Sequence, residues 1–415
     1  DFLRYQNGTT TLAADSLLVG AVRTFAADSR VTDSAAGATA YAAGTKTYNG
    51  AIAVDAERRP VATLLEAAEA RGMATGLVAT SRITHATPAA FSAHVVSRGM
   101  ENEIAAQQIT KGIEVIFGGG RRHFLPEAEG GVREDGRNLI AEAEDRGYRY
   151  VADREQFARV DATPVLGLFA ASHMDYEIDR DPAAQPSLAA MTRKAIELLR
   201  GSEEGFFLMV EASRIDHAGH ANDAAAHLHD ILAFNEALEV ALAAARDDGR
   251  TLVVSVSDHE TGGLSLGRNV DGRGVYAWRP DVLARVRGSH GAILAKALDS
   301  TANGGAPTRT IAQMTGISDL TEAEKTIIRG SADDRPVLEA LLTELVARRA
   351  VVGWTTNGHT AVDVNLYAYG PGADRFAGNH DNTYVGTTLA DLLGFDLDAL
   401  TAQLREQAEP VPTGR

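Results

Sequence analysis

The 415-residue chain contains no cysteine. Disulfides, thiolate zinc sites, cysteine nucleophiles and formylglycine made from cysteine are excluded together, so any metal must sit on His, Asp and Glu. No apolar stretch approaches the roughly 20 residues that span a bilayer, and no membrane segment is expected. Basic residues are in deficit: 40 Lys and Arg stand against 56 Asp and Glu, a formal charge of −16. That field repels anions and supports no nucleic-acid groove, so an anionic substrate needs a strong local cation. The acid surplus suits a salt-tolerant surface and an ordinary soluble acidic enzyme alike. Asp1 is preceded by neither a methionine nor a signal peptide, and the expectation is a processed or incomplete form.

What is present, with 45% hydrophobic residues, is enough apolar material for a large core. Short β-rich runs alternate with helical stretches, the pattern of an α/β fold with a mostly parallel central sheet and helices on both faces. Strands are predicted at 74–80, 113–117, 165–169, 206–210, 251–256 and 364–369. Helices are predicted at 61–71, 187–200 and 223–246. From about Gly267 to Gly353 the rhythm weakens, with a turn at 302–306 and a helix at 335–348. Residues 267–353 are therefore read as an insertion or cap within one domain spanning 1–415. Residues 126–137 read as a surface loop. Glu211 follows one apolar run and Asp258-His259 closes another, and ligands gather at such carboxyl ends in open α/β sheets.

Four clusters carry chemistry. Val31-Thr32-Asp33-Ser34 opens an Ala-rich helix running to Gly44, which places Ser34 where unpaired N–H groups and the helix dipole favour phosphate. An N-capping role for Asp33 or Ser34 is the competing reading. Asp216 and His220 are four apart and share a helical face, as metal ligands or as a solvated polar pair. Asp258-His259 at the end of a buried strand would be costly to desolvate without a cation, and His359 adds an imidazole in a tight turn. Such N and O ligands suit two zinc ions, which about 4 Å apart form a clamp for in-line phosphoryl displacement. Thr87 and Glu211 offer oxygens to a hard ion such as Mg²⁺. Arg98 presents a guanidinium fork that matches two phosphate oxygens, or a surface salt bridge.

With these residues in hand, the chain resembles the alkaline phosphatases. The resemblance is carried by Thr32-Asp33-Ser34-Ala35-Ala36-Gly37-Ala38-Thr39-Ala40, Lys46-Thr47-Tyr48-Asn49-Gly50, His85-Ala86-Thr87-Pro88-Ala89, Glu211 through Asp216 to His220, and Ser257-Asp258-His259-Glu260-Thr261-Gly262-Gly263, in the family's order. It implies Ser34 as nucleophile, Arg98 as phosphate clamp and Asp33 as the group steadying it. One zinc would be held by Asp216, His220 and His359, a second by Asp258 and His259, and magnesium by Thr87 and Glu211. His85, where some members carry an acid, would sit behind or tune a metal rather than ligate it. His217 would reach phosphate through water or serve as a plain hydrogen-bonding group. The other histidines, His173 among them, receive no role.

The resemblance further implies hydrolysis of small phosphomonoesters through a phosphoserine with release of inorganic phosphate, two Zn²⁺ and one Mg²⁺, a homodimer, and a periplasmic or secreted location. The alternatives are a non-catalytic phosphate-binding paralogue and a phosphodiesterase or sulfatase of the same superfamily. One departure stands out. The family's Gly-Asp-Gly-Met-Gly strand end, whose acid bridges the second zinc and magnesium, is missing, because the chain opens at Asp1-Phe2-Leu3-Arg4-Tyr5. The first βα unit is expected to lie upstream in the natural protein. The hundred residues between His259 and His359 imply a crown-like insertion.

Overall fold

The computed structural model describes Phe2 and residues 11–302, 305–331 and 334–407. Asp1, Leu3-Arg4-Tyr5 and Asn303-Gly304 of the expected turn lie outside the described residues.

The apolar runs build a five-stranded parallel sheet in the order Arg149–Val151, Val165–Leu168, Val115–Gly119, Ala74–Arg82 and Phe206–Glu211. Period-two alternation divides its residues between two cores. Leu77, Ala79, Ile116 and Leu166 face Leu65 and Phe91 from the Leu64–Ala70 and Ala86–Ser92 helices. Val78, Val115, Phe117 and Val165 face Met191, Ala195 and Leu199 of the Leu188–Leu199 helix. Helices thus cover both faces, and Val78 opposite Val210 sets a register in which Ala79 pairs with Glu211.

A second, four-stranded sheet runs Gly378–Asp381, Leu18–Arg23, Val364–Tyr369, Val253–Val256. Only its first pair is parallel. The runs at 251–256 and 364–369 are strands as expected, but they pair antiparallel, which an apolar run does not reveal. Leu18–Arg23 and Gly378–Asp381 escape sequence reading because one contains glycine and the other is polar. A Cβ at Gly20 would lie 2.1 Å from the Gly378 carbonyl oxygen, so the close pairing itself requires glycine there.

Between 267 and 353 lie the helices Pro280–Leu283, His290–Ala302, Pro307–Thr315, Glu322–Gly330 and Arg335–Ala350. Sequence reading foresaw only the last. Ile293, Leu294, Ile311, Ile328, Leu342 and Leu345 bury one another and Ala225 of the Ala224–Asp248 helix. Asp223 caps that helix and accepts the His290 N–H at 2.6 Å, while Asp179 accepts the Ser289 N–H at 2.9 Å. The 126–137 loop is at the surface except for Pro126 and Arg133, which are buried, and Arg133 donates to the Asn102 and His123 carbonyls.

Candidate active site

The Ser34–Ala43 helix begins as its sequence requires. Asp33, in extended conformation, is the N-cap and accepts the Ala36 N–H at 3.0 Å, so the capping reading holds for Asp33 and not for Ser34. Ser34 is the first helical residue, buried, and the N–H groups of Ser34 and Ala35 have no protein acceptor among the described residues. The turn before it is held by Asn49, which receives the Asp33 N–H at 2.8 Å and donates to the Val31 carbonyl at 3.0 Å. Asn49 lies in one of the matched motifs, but only the fold reveals this clamp. Gly37 lets the first turn press on the strand end: a Cβ there would sit 3.2 Å from both Cβ and the carbonyl oxygen of Asp258. Tyr41, from the same helix, donates to the Ser257 carbonyl at 2.7 Å. Burial pushes its phenol well above its ordinary pKa, which keeps it a donor.

Asp33 has a second partner. Its other carboxylate oxygen receives Nη1 of Arg98 at 3.0 Å, and His85 Nε2 faces Arg98 Nη2 at 3.0 Å. The guanidinium is thus gripped from behind at both ends, each Nη keeping a second N–H. His85, expected behind a metal, meets Arg98 through this nitrogen. Its Nδ1 is buried without a partner, and burial, with the Arg98 charge adding to it, holds the ring well below the ordinary histidine pKa.

The imidazoles of the metal-type cluster have their tautomers set by their neighbours. His220 Nδ1 donates to the Asn357 carbonyl at 2.6 Å and His359 Nδ1 to the Thr32 carbonyl at 2.8 Å. Both Nε2 lone pairs then face each other at 3.1 Å, with Asp216 Oδ1 at 3.4 and 3.6 Å from them. Asp216, His220 and His359 place their ligand atoms within 4.8 Å of one another. Two acceptor nitrogens and a carboxylate converging with no donor between them form a site suited to a cation. Thr261 reinforces it: its hydroxyl donates to Asp216 Oδ1 at 2.6 Å and so accepts from His259 Nδ1 at 3.2 Å.

His259 Nε2 is therefore also a lone pair, and it meets Ser34 Oγ at 2.9 Å and Asp258 Oδ2 at 3.2 Å. This is not a serine–histidine–acid relay, in which the acid holds the other ring nitrogen. Serine, acid and imidazole point to one place. With a proton on Nε2 in place of a cation, and against burial, His259 holds Asp258 down to about 2 and Asp258 raises His259, so the spot favours a positive charge either way. His259 stacks on His359 at 3.5 Å, which joins the two clusters.

Glu211 accepts from Ser213 Oγ at 2.6 Å and Ser81 Oγ at 3.3 Å. Burial, with Asp258 and Asp216 adding repulsion, pushes it up to about 7, and the nearby Thr87 Oγ1 is buried without a partner. A half-buried acid pressed by two others beside a buried, unpartnered hydroxyl fits a hard cation. His217 packs against His85 at 5.3 Å and His173 at 4.3 Å, and its Nδ1 meets Arg214 Nη1 at 2.8 Å. Sequence reading gave His173 no role; its nearness to His217 across some forty residues of chain is a product of folding alone.

A buried serine at a helix start, facing acids and imidazoles at strand carboxyl ends, suits a metal-dependent hydrolase built on a parallel-sheet α/β fold. The chain belongs to the alkaline phosphatase family, whose sequence profile matches residues 4–395. It is similar to the repressible alkaline phosphatase of Saccharomyces cerevisiae, 41% identical over 438 residues that cover 95% of this chain and 77% of the yeast protein. Alkaline phosphatase 3 of Bacillus subtilis is 40% identical, covering 93% of this chain and 82% of its own length. Among solved structures, a cold-active alkaline phosphatase from Shewanella sp. superposes with a TM-score of 0.84 at 38% identity, over 92% of both chains. That of Thermus thermophilus gives 0.82 at 32%, over 95% of this chain and 87% of its own. The chain is an enzyme of a metal-dependent family that hydrolyses phosphomonoesters, and among the described residues no helix is long and apolar enough to cross a membrane.

Proposed function

We propose that this chain hydrolyses phosphomonoesters by two successive displacements through a phosphoserine on Ser34. The observation that carries the reading is the convergence of Ser34 Oγ and Asp258 Oδ2 on one histidine nitrogen. Asp216, His220 and His359 would hold one Zn²⁺, Asp258 and His259 a second, and Thr87 and Glu211 a Mg²⁺. A mutant of the TAB5 alkaline phosphatase, 27% identical, has Mg bound in its M3 site, which favours a magnesium position here too. When bound, these ions supply positive charge and lower the pKa of the serine hydroxyl and of water, neither of which is nucleophilic enough unaided.

The side chains do the rest. The outward N–H groups of Arg98 bind two phosphoryl oxygens, while Asp33 and His85 fix the plane of the fork. The free N–H groups of Ser34 and Ala35 face the same charge. Ser34 Oγ forms a bond to phosphorus as the ester P–O bond breaks and the alcohol leaves with a proton. Water then attacks phosphorus from the vacated side, the Ser34 Oγ–P bond breaks, and phosphate departs with configuration retained.

Ser34→Ala should abolish an acid-stable phosphoenzyme and lower kcat by orders of magnitude with metal content unchanged. A kcat within tenfold of wild type, or no phosphate trapped on wild type, would refute the assignment. Comparing p-nitrophenyl phosphate, its diester and its sulfate tests the monoesterase reading against its superfamily rivals. The proposal includes residues 267–353 as a cap within one domain, a homodimer, and a periplasmic or secreted location. Light scattering of the full chain and fractionation of the producing cell check the last two.

A further inference from the structure

The grip on Arg98 is the first link of a longer chain of cations and imidazoles. From Arg98, His85 leads to His217 at 5.3 Å, and His217 to Arg214 Nη1 at 2.8 Å. Two arginines along this strip are neutralised: Arg98 by Asp33, and Arg82, beside His173, by a bidentate pair of 2.7 Å bonds to Glu101. Arg214 is not. No carboxylate lies within ion-pair distance of it among the described residues, and Asp175 and Asp230 sense its charge only from farther away. Its guanidinium lies 3.7 Å over the Tyr176 ring, an orientation that holds it flat without neutralising it. Its Nε is buried and unpartnered, and its Nη2 makes no hydrogen bond among the described residues. A half-buried cation with unspent donors, in a chain of net charge −16, is costly unless something anionic meets it.

We infer that Arg214, laid on Tyr176 beside His217, forms a second anion subsite next to the phosphoryl site, taking a carboxylate or phosphate carried by the leaving group of the substrate. The inference rests on the phosphomonoesterase reading above. A planar fork with two or more free N–H groups matches such oxyanions, whereas a neutral leaving group leaves those donors unmet. The subsite thus favours doubly anionic monoesters despite the acidic surface.

The test compares kcat/KM for 4-carboxyphenyl phosphate and for phenyl phosphate, and reads their ratio, so that any general loss of turnover cancels. R214Q should lower the ratio about tenfold, the expected effect of one charge-assisted contact, and R214K should fall between. In the wild-type enzyme the ratio should also drop as NaCl rises from about 20 mM to about 500 mM, an arm that needs no variant to fold. A ratio within twofold of wild type in R214Q, or one indifferent to salt, overturns the subsite. If the wild type hydrolyses both esters and the ratio stays fixed, the subsite alone fails; if it hydrolyses neither, the phosphatase reading fails with it.

Discussion

Asp33 does two jobs that a conservative change separates. Asparagine keeps an oxygen for the Ala36 N–H but loses the charge that holds Arg98. Asp33→Asn should leave unfolding free energy nearly unchanged while kcat/KM falls at least tenfold; Asp33→Ala should additionally cost about 1 kcal/mol of stability. Urea denaturation beside steady-state kinetics separates the two effects. Glu69 lies far from the catalytic groups and reports on pH. Burial, with Glu114 nearby adding to it, pushes its carboxyl up to about 7, against the hydrogen bond it accepts from Thr75. The folded form therefore binds this proton more tightly than the unfolded chain. Its stabilising contribution is full below pH ~4.5, declines as pH rises toward 7 and is gone above. Glu69→Gln should thus be neutral at pH 4 and gain about 1 kcal/mol at pH 8, after allowance for its partial exposure to solvent. Thermal melts at the two pH values decide; equal shifts would contradict it.

At the level of elements, the Ser34–Ala43 helix is placed by backbone contacts that no side-chain pattern announces. Gly386, in the Thr383–Leu393 helix, would put a Cβ 2.7 Å from both the Gly44 nitrogen and the Tyr41 carbonyl oxygen. None of these atoms is a flexible chain end, so Gly386→Ala must push the two helices apart, at a cost of about 1–3 kcal/mol. Chemical denaturation checks the loss, and a variant as stable as wild type would show that the helices separate freely. The same reasoning explains what sequence reading caught among the elements and what it missed. Long apolar runs such as 74–80 and the 25-residue Ala224–Asp248 helix announce themselves by periodicity. The polar Gly378–Asp381 strand does not, because its partner, Leu18–Arg23, supplies the pairing from 358 residues away. Helices 307–315 and 322–330 are short, and their apolar faces have meaning only against the neighbouring helices His290–Ala302 and Arg335–Ala350 and each other.

For the whole molecule, the proposed ligand groups come from four stretches of chain, and Asp216, His220 and His359 lie at distances suited to a cation. Chelation should therefore destabilise as well as inactivate. An ion present at a thousandfold excess over its Kd contributes about 4 kcal/mol to folding, so treatment with a chelator should lower Tm by several degrees, and zinc with magnesium should restore both Tm and turnover. A Tm that ignores chelation while activity falls would place the metals outside the folded framework. The sequence by itself determined the chemistry available: without cysteine, the candidates are Ser34, Thr87, Arg98 and the His, Asp and Glu residues of the matched motifs, and local spacing placed Asp216 with His220 and Asp258 with His259. Only the tertiary structure decided which nitrogen of each imidazole faces the site, that Asp33 rather than Ser34 caps the helix, that His85 meets Arg98, and that His173 and Arg214 join the cluster. Tautomers and cation pairing depend on carbonyls and carboxylates brought from distant segments, such as Thr32 to His359 and Asn357 to His220, and spacing along a chain carries no record of them.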